Sequence, residues 1–255
     1  MQSPGTSEIV SALDLPLGSR VDQRVPKKLL LENGAPTAAD KRLINEGIEE
    51  LFWLAALKPT TIGVPEYRDE VREYLEIAVL RLNLRATAKA TRLVELVHRA
   101  VPYPLLLLME QGERSGLSAA HKRWSQGETG KMVLDGEIVA AEWEAVGNVE
   151  HLPAFRDMLA MGKQSRITLF ALYQGWLDTL LALQAARVTG VFSVAVNHEQ
   201  AALRRDALRE CTRLDTEITR LRAAAAKEKQ MARRVTLNME IKRLQTEKEE
   251  LTARL

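Results

Sequence analysis

Leu105-Leu106-Leu107-Leu108-Met109 is an unbroken run of large aliphatic residues, opened by Val101-Pro102-Tyr103-Pro104 and closed by Gln111-Gly112. A short apolar run without polar alternation, bounded by turn residues, predicts a central strand covered on both faces. Pro104 suits the start of such a strand and not its middle. Residues 74–82 alternate for part of their length and predict a second strand. Residues 87–100 place Leu93, Val94, Leu96 and Val97 on one side and Lys89, Arg92, Glu95 and Arg99 on the other, which predicts a helix leading into the central strand. Beyond it, residues 116–124 and 132–143 predict strands separated by turns at Gly112, Gly127 and Gly130, and strands joined by short turns pair antiparallel as a meander.

Upstream, residues 1–24 mix Ser, Pro and Gly with isolated apolar positions and are expected to be an extended arm. Thr37 offers a helix start. Leu43, Ile44, Ile48, Leu51 and Phe52 follow at helical spacing, so the helix is expected to run to about Leu57, where Pro59 stops it. Residues 60–64, bounded by Pro65, are expected to form a short edge strand. Downstream, residues 153–161 predict a short helix, Gly162 a break and residues 167–186 a long helix. That last segment matches the ~20 residues of a membrane span, but Gln174, Asp178 and Gln184 inside it favour a buried helix.

After Gly190 there is neither Gly nor Pro. Cys211, Leu214, Ile218, Leu221 and Ala225 recur at steps of three and four, and Leu237, Ile241, Leu244, Leu251 and Leu255 repeat the step out of phase with the first set. Both sets are heptad seams, and the polar, alanine-rich stretch between them is either a stutter in one helix or the turn of a helical hairpin. A single helix over residues 198–255 would be roughly 85 Å long and would need a second chain. The hairpin is preferred because the phase breaks once and the break is polar. The expected fold is therefore α+β, a mostly antiparallel sheet with packed helices followed by a coiled-coil arm. Its expected parts are an extended arm over 1–24, a head over 25–150, a helical connector over 151–197 and the arm over 198–255.

Composition narrows the chemistry. One cysteine, Cys211, excludes an internal disulfide and a cysteine-rich metal site, and with no secretory leader pattern at the start the expected location is the cytoplasm. The net charge of +2 is unevenly placed: residues 198–255 carry fourteen Lys and Arg against ten Asp and Glu, leaving 22 against 24 for the rest. There is no Walker loop, dinucleotide fingerprint or nucleophile elbow. His98, His121, His151 and His198 stand singly, without a ligand at metal spacing. The one acid-x-Lys, Glu240-Ile241-Lys242, falls in a seam, where a solvated helix face accounts for it. No catalytic, cofactor-binding or metal residue is assigned, and no cofactor is expected. Two basic features are candidate contacts for nucleic acid or a partner: Lys122, Arg123 and Trp124, and the run Arg220, Arg222, Lys227, Lys229, Arg233 and Arg234, opposed only by Glu228.

In order along the chain, Val25-Pro26-Lys27-Lys28, Phe52-Trp53, Leu57-Lys58-Pro59-Thr60-Thr61-Ile62, Ala100-Val101-Pro102-Tyr103-Pro104-Leu105, Ala120-His121-Lys122-Arg123, Glu142-Trp143, and Lys227-Glu228-Lys229-Gln230 leading to Val235-x-Leu237-Asn238 resemble the family of domain of unknown function 4391. After the tryptophan, Leu54-Ala55-Ala56-Leu57 departs from the aromatic and lysine pair common in that family. The resemblance implies an accessory component encoded beside helicases and DNA methyltransferases in restriction-like and antiphage clusters, and it supplies no catalytic residues. The expected function is a non-catalytic adaptor that binds helicase or methyltransferase subunits through its arm, with direct DNA binding and self-association left open and no membrane contact. The alternative is a divergent metal-dependent nuclease or nucleic-acid-processing enzyme, with Glu76, Asp135 and Glu137 as its candidate acids.

Overall fold

A computed structural model describes residues 4–144, 150–253 and 255. The chain divides into two compact units, residues 1–180 and 181–255, which are described separately. In the first, six strands form one sheet: β1 (Arg20–Arg24), β2 (Ile48–Leu57), β5 (Ile77–Leu84), β6 (Leu105–Gln111), β7 (Arg114–Trp124) and β8 (Met132–Glu144), adjacent in that order. A two-residue ribbon, β3 (Tyr67–Arg68) with β4 (Glu73–Tyr74), stands apart from it. Every pairing in the large sheet is antiparallel except β5 with β6. A parallel neighbour needs a crossover, and α5 (Ala90–Ala100) provides it.

β6 is buried at all seven positions, as the apolar run predicts for a strand covered on both faces. One face presents Ala78, Leu80, Leu82, Leu105, Leu107 and Met109 to α2 (Lys27–Asn33), α3 (Ala38–Gly47) and α5, whose Leu30, Ile44, Leu93, Leu96 and Val97 complete a single core. Gly34 lets α2 meet the end of α5: a Cβ there would sit 2.8 Å from the carbonyl oxygen of Leu96 and 2.6 Å from the Ala100 Cβ. The other face carries α1 (Pro4–Ala12), α6 (Leu152–Leu159) and the first part of α7 (Leu169–Thr189). There the buried phenol of Tyr173 donates to the Leu105 and Ala120 carbonyls and accepts from the Ala120 N–H, which joins α7 to β6 and β7. The Trp176 indole donates to the Leu159 carbonyl at 2.8 Å.

Three expectations are corrected. Residues 4–24 are not an extended arm: they form α1, a short 3-10 turn and β1, with Ile9 and Leu13 fully buried. The helix from Thr37 ends at Gly47, and Ile48–Leu57 is a strand between β1 and β5. A Cβ on Gly47 would lie 2.6 Å from the Leu93 side chain, and the strand ladder outweighs the helical preference of Glu, Leu and Ala. Pro59 begins a helical turn instead of ending one. α4 (Pro59–Ile62) replaces the expected strand, with proline at its first position and Gly63 at φ +64° closing it. The long helix expected from Ile167 is α7, and among the described residues no helix is long and apolar enough to cross a membrane.

The edge strand β1 is irregular. Its pairing with β2 shifts register between Arg20 and Gln23, and Asp22 has φ +50°.

The second unit is dominated by α8 (His198–Lys227) and α9 (Met231–Thr252), joined by residues 228–230. Leu214, Ile218 and Leu221 of α8 pack with Ile241 and Leu244 of α9, and Leu237 and Leu251 extend the cluster. Lys248 bonds Asp215 at 2.7 Å, and Arg204 near the start of α8 donates to the Leu255 carbonyl at 3.2 Å. The two seams therefore meet within one chain as an antiparallel hairpin, and the phase break is its turn. The α8 seam begins earlier than the sequence indicates, with Ala201, Arg204 and Leu208 also buried.

Candidate interaction surface at the hairpin tip

The tip is built by how the two helices end and begin. Asn197 caps α8, its side chain accepting from the Gln200 N–H at 2.9 Å, and α8 runs without a break to Lys227. Glu228 then turns the chain, its carboxylate accepting from the Gln230 N–H at 2.8 Å. α9 starts with Met231-Ala232-Arg233-Arg234, a first turn with no acid and two arginines. A helix N-terminus already carries partial positive charge, so cations there add to the field instead of offsetting it. The arrangement opposes local stability and concentrates positive potential at one end of the hairpin.

Of the six basic residues expected in this region, Arg220 is bound to Glu217 at 2.6 Å, and the Arg234 guanidinium lies 3.1 Å from the Met231 sulfur. Arg222, Lys227, Lys229 and Arg233 are exposed and make no hydrogen bond or ion pair among the described residues. Lower on the hairpin many of the charges are paired: Glu210 with Arg213, Glu240 and Glu247 with Arg243, and Asp215 with Lys248. Four cations without such a partner thus stand together at the tip, while Arg205 and Lys242 are the scattered ones lower down.

The second basic feature does not form a patch. The Lys122 side chain is fully buried, and its ammonium donates to the His98 carbonyl and, at 2.8 Å, to that of Val101, at the end of α5. Burial pushes its pKa down to about 8. Arg123, its neighbour on the strand, points to the opposite side, where it lies 3.7 Å from Asp135 and donates to the Trp124 carbonyl.

The candidate acids are not brought together. Glu76 pairs with Lys58 at 3.2 Å, Asp135 with Arg72 at 2.5 Å, and Glu137 lines a groove of about 520 Å³ between α5 and β8. Glu240 and Lys242 lie on α9. Among the described residues no three of His, Cys, Asp and Glu form a set able to hold a metal ion.

Two histidines are part of the head's packing. His98 is fully buried with Nε2 2.9 Å from the Ser118 hydroxyl, which also reaches the groove. Burial, then the Lys122 cation, pushes its pKa down to about 3. His121 accepts from the Tyr74 phenol at 2.5 Å and donates to Gln174, whose amide donates to Asp178, and its ring stacks on Phe170. His151 precedes α6, and the His198 side chain lies outside the described set.

Sequence reasoning missed a buried polar row. Asn83, Glu110, Ser115 and Trp143 are register partners across β5 to β8, and Arg81 on β5 lies over the Phe52 ring at 5.3 Å. Arg81 Nε and Nη1, Asn83 Oδ1, Glu110 Oε1 and Trp143 Nε1 are buried without partners among the described residues. The signal available was the presence of Arg81 and Asn83 inside an otherwise apolar strand, Ile77–Leu84.

Fold and site together define a class: an α+β sheet domain whose chain continues into an antiparallel helical hairpin with a basic tip. The family model DUF4391, described as a domain of unknown function, matches residues 13–247, and the chain belongs to that family. No curated protein matches the chain, and no solved structure does.

Proposed function

We propose that this chain is a non-catalytic accessory subunit of a bacterial restriction-like or antiphage complex in the cytoplasm, and that its hairpin is a coiled-coil arm docking an acidic surface of a helicase or DNA methyltransferase subunit. The observation that carries this reading is the tip, where Arg222, Lys227, Lys229 and Arg233 are exposed and unpaired beside the N-terminus of α9. A solvated charged helix needs no such gathering of one sign, and the paired charges lower on the same helices show what that looks like.

Co-purification of the full chain with a helicase or methyltransferase encoded beside it is the test. Lys227→Glu, Lys229→Glu and Arg233→Glu together abolish recovery of the partner if the tip is the docking site, while the helical signal of the protein is unchanged. Unaltered recovery overturns the tip as the contact. Tight binding of duplex DNA, with an affinity that falls steeply with salt and is lost in the same variant, would replace the protein partner with a phosphate backbone.

A further inference from the structure

α9 carries two apolar stripes. The inner one, Leu237, Ile241, Leu244 and Leu251, faces α8. The outer one is Met231, Val235 and Met239, at 64%, 49% and 69% exposure. At 3.6 residues per turn, a spacing of four keeps these three within an arc of about 80°. The same geometry places that arc on roughly the opposite side of the helix from the inner stripe. The hairpin accounts for one apolar face of α9 and leaves the other in water.

We infer that this outer stripe receives an acidic amphipathic helix of the partner protein. The inference rests on the reading of the tip as a docking site and names the occupant. Three side chains four residues apart match the anchor spacing of a helix laid along a helix, and methionine adapts its shape to the surface it meets. The charges select the sign of the occupant. Arg234 and Lys242 flank the stripe on α9, and Lys227, Lys229 and Arg233 at its tip end outnumber Glu228; Glu240 is bound to Arg243, and Glu249 and Glu250 stand about 15 Å or more from Met239 at 1.5 Å per residue. A second copy does not meet this demand. Centring two stripes on each other at Val235, antiparallel, brings Lys242 of one copy opposite residues 227–229 of the other, where Lys227 and Lys229 outnumber Glu228, and a net like charge at an interface is unfavourable. A duplex would use the cations but has no use for three exposed apolar side chains.

The probe is a synthetic helical peptide with leucines at positions i, i+4 and i+8 and glutamates beside them, labelled and titrated with the full chain by fluorescence anisotropy. A matched peptide with lysines in place of the glutamates is the control. The acidic peptide binds at least tenfold tighter than the basic one, and Met231→Ser with Met239→Ser weakens it at least tenfold with the circular dichroism spectrum unchanged. Equal binding of the two peptides, or equal binding by the variant, overturns the inference. So does a sedimentation series in which the chain dimerises and the serine variant does not, since the stripe then belongs to a second copy. So does stripe-dependent binding to anionic vesicles in preference to the acidic peptide. The two readings separate in co-purification. If the charge-reversed tip loses the helicase or methyltransferase while the serine variant keeps it, the docking tip stands and the stripe falls. If both variants keep it, both fall.

Discussion

The ammonium of Lys122 lies 2.8 Å from the carbonyl oxygen of Val101, one residue past the end of α5. The last carbonyls of a helix have no partner within it, and here a strand residue supplies the donor that a capping residue would otherwise provide. Lys122→Met keeps the aliphatic stem and removes the donor, leaving the His98 and Val101 carbonyls short of a partner. A loss of about 1–3 kcal/mol in unfolding free energy is expected, read from the urea midpoint. Partner and peptide binding at the hairpin are unchanged in this variant.

The buried pair Lys122 and His98 makes stability depend on pH. His98 is held near 3 when folded and returns to its ordinary value near 6.5 when unfolded, so between those limits the unfolded chain binds the extra proton. Its contribution is complete above pH 6.5 and is lost as pH falls toward 3, at no more than about 1.4 kcal/mol per pH unit. Lys122, depressed to about 8, adds a second rise between pH 8 and its ordinary value of 10.5. Urea midpoints at pH 7.5 and 4.5 check the first, and His98→Gln flattens the difference between them.

Gly34 sits where α2 reaches α5. Its φ of −124° suits any residue, so the constraint is space alone. Gly34→Ala forces its methyl against the Leu96 carbonyl oxygen and the Ala100 Cβ and separates the helices, at an expected cost of about 1–3 kcal/mol in thermal or urea unfolding.

Leu221 and Leu237 belong to one cluster within a single chain. Cysteines at both positions, in a Cys211→Ala background, form an intramolecular disulfide whose yield does not fall on dilution. Formation of covalent dimers alone would show that α8 and α9 pair between chains.

The parts legible in the sequence are those where one pattern has one structural solution. The apolar run at Leu105 could only be buried, and two heptad seams out of phase with a polar break between them pointed to a hairpin, against the absence of glycine or proline for a tight turn. Ile48–Leu57 was misread because Ile48, Leu51 and Phe52 fit the helical repeat begun at Leu43, and only pairing with β1 and β5 decides the matter. The run His121-Lys122-Arg123-Trp124 was a candidate for one surface patch, with an exposed strand end and a core tryptophan as the favoured alternative. A strand sends neighbours to opposite faces, so Lys122 went inward and Arg123 did not. At the hairpin, the basic run was visible, but the outer methionines were masked by the stronger repeat of the inner seam.

The irregularity of β1 bears on one of the two edges of the sheet. A free strand edge is a template for another chain, and a regular β1 would offer its unpaired N–H and C=O groups to a neighbour. The register shift before Gln23 and the left-handed backbone of Asp22 twist that edge out of line, and Arg20, Asp22 and Arg24 stand exposed along it. Fibre-like stacking, in which each molecule lends its edge to the next, is therefore interrupted at β1. The β1 side of the sheet is thus guarded against edge-to-edge pairing without a partner to cover it.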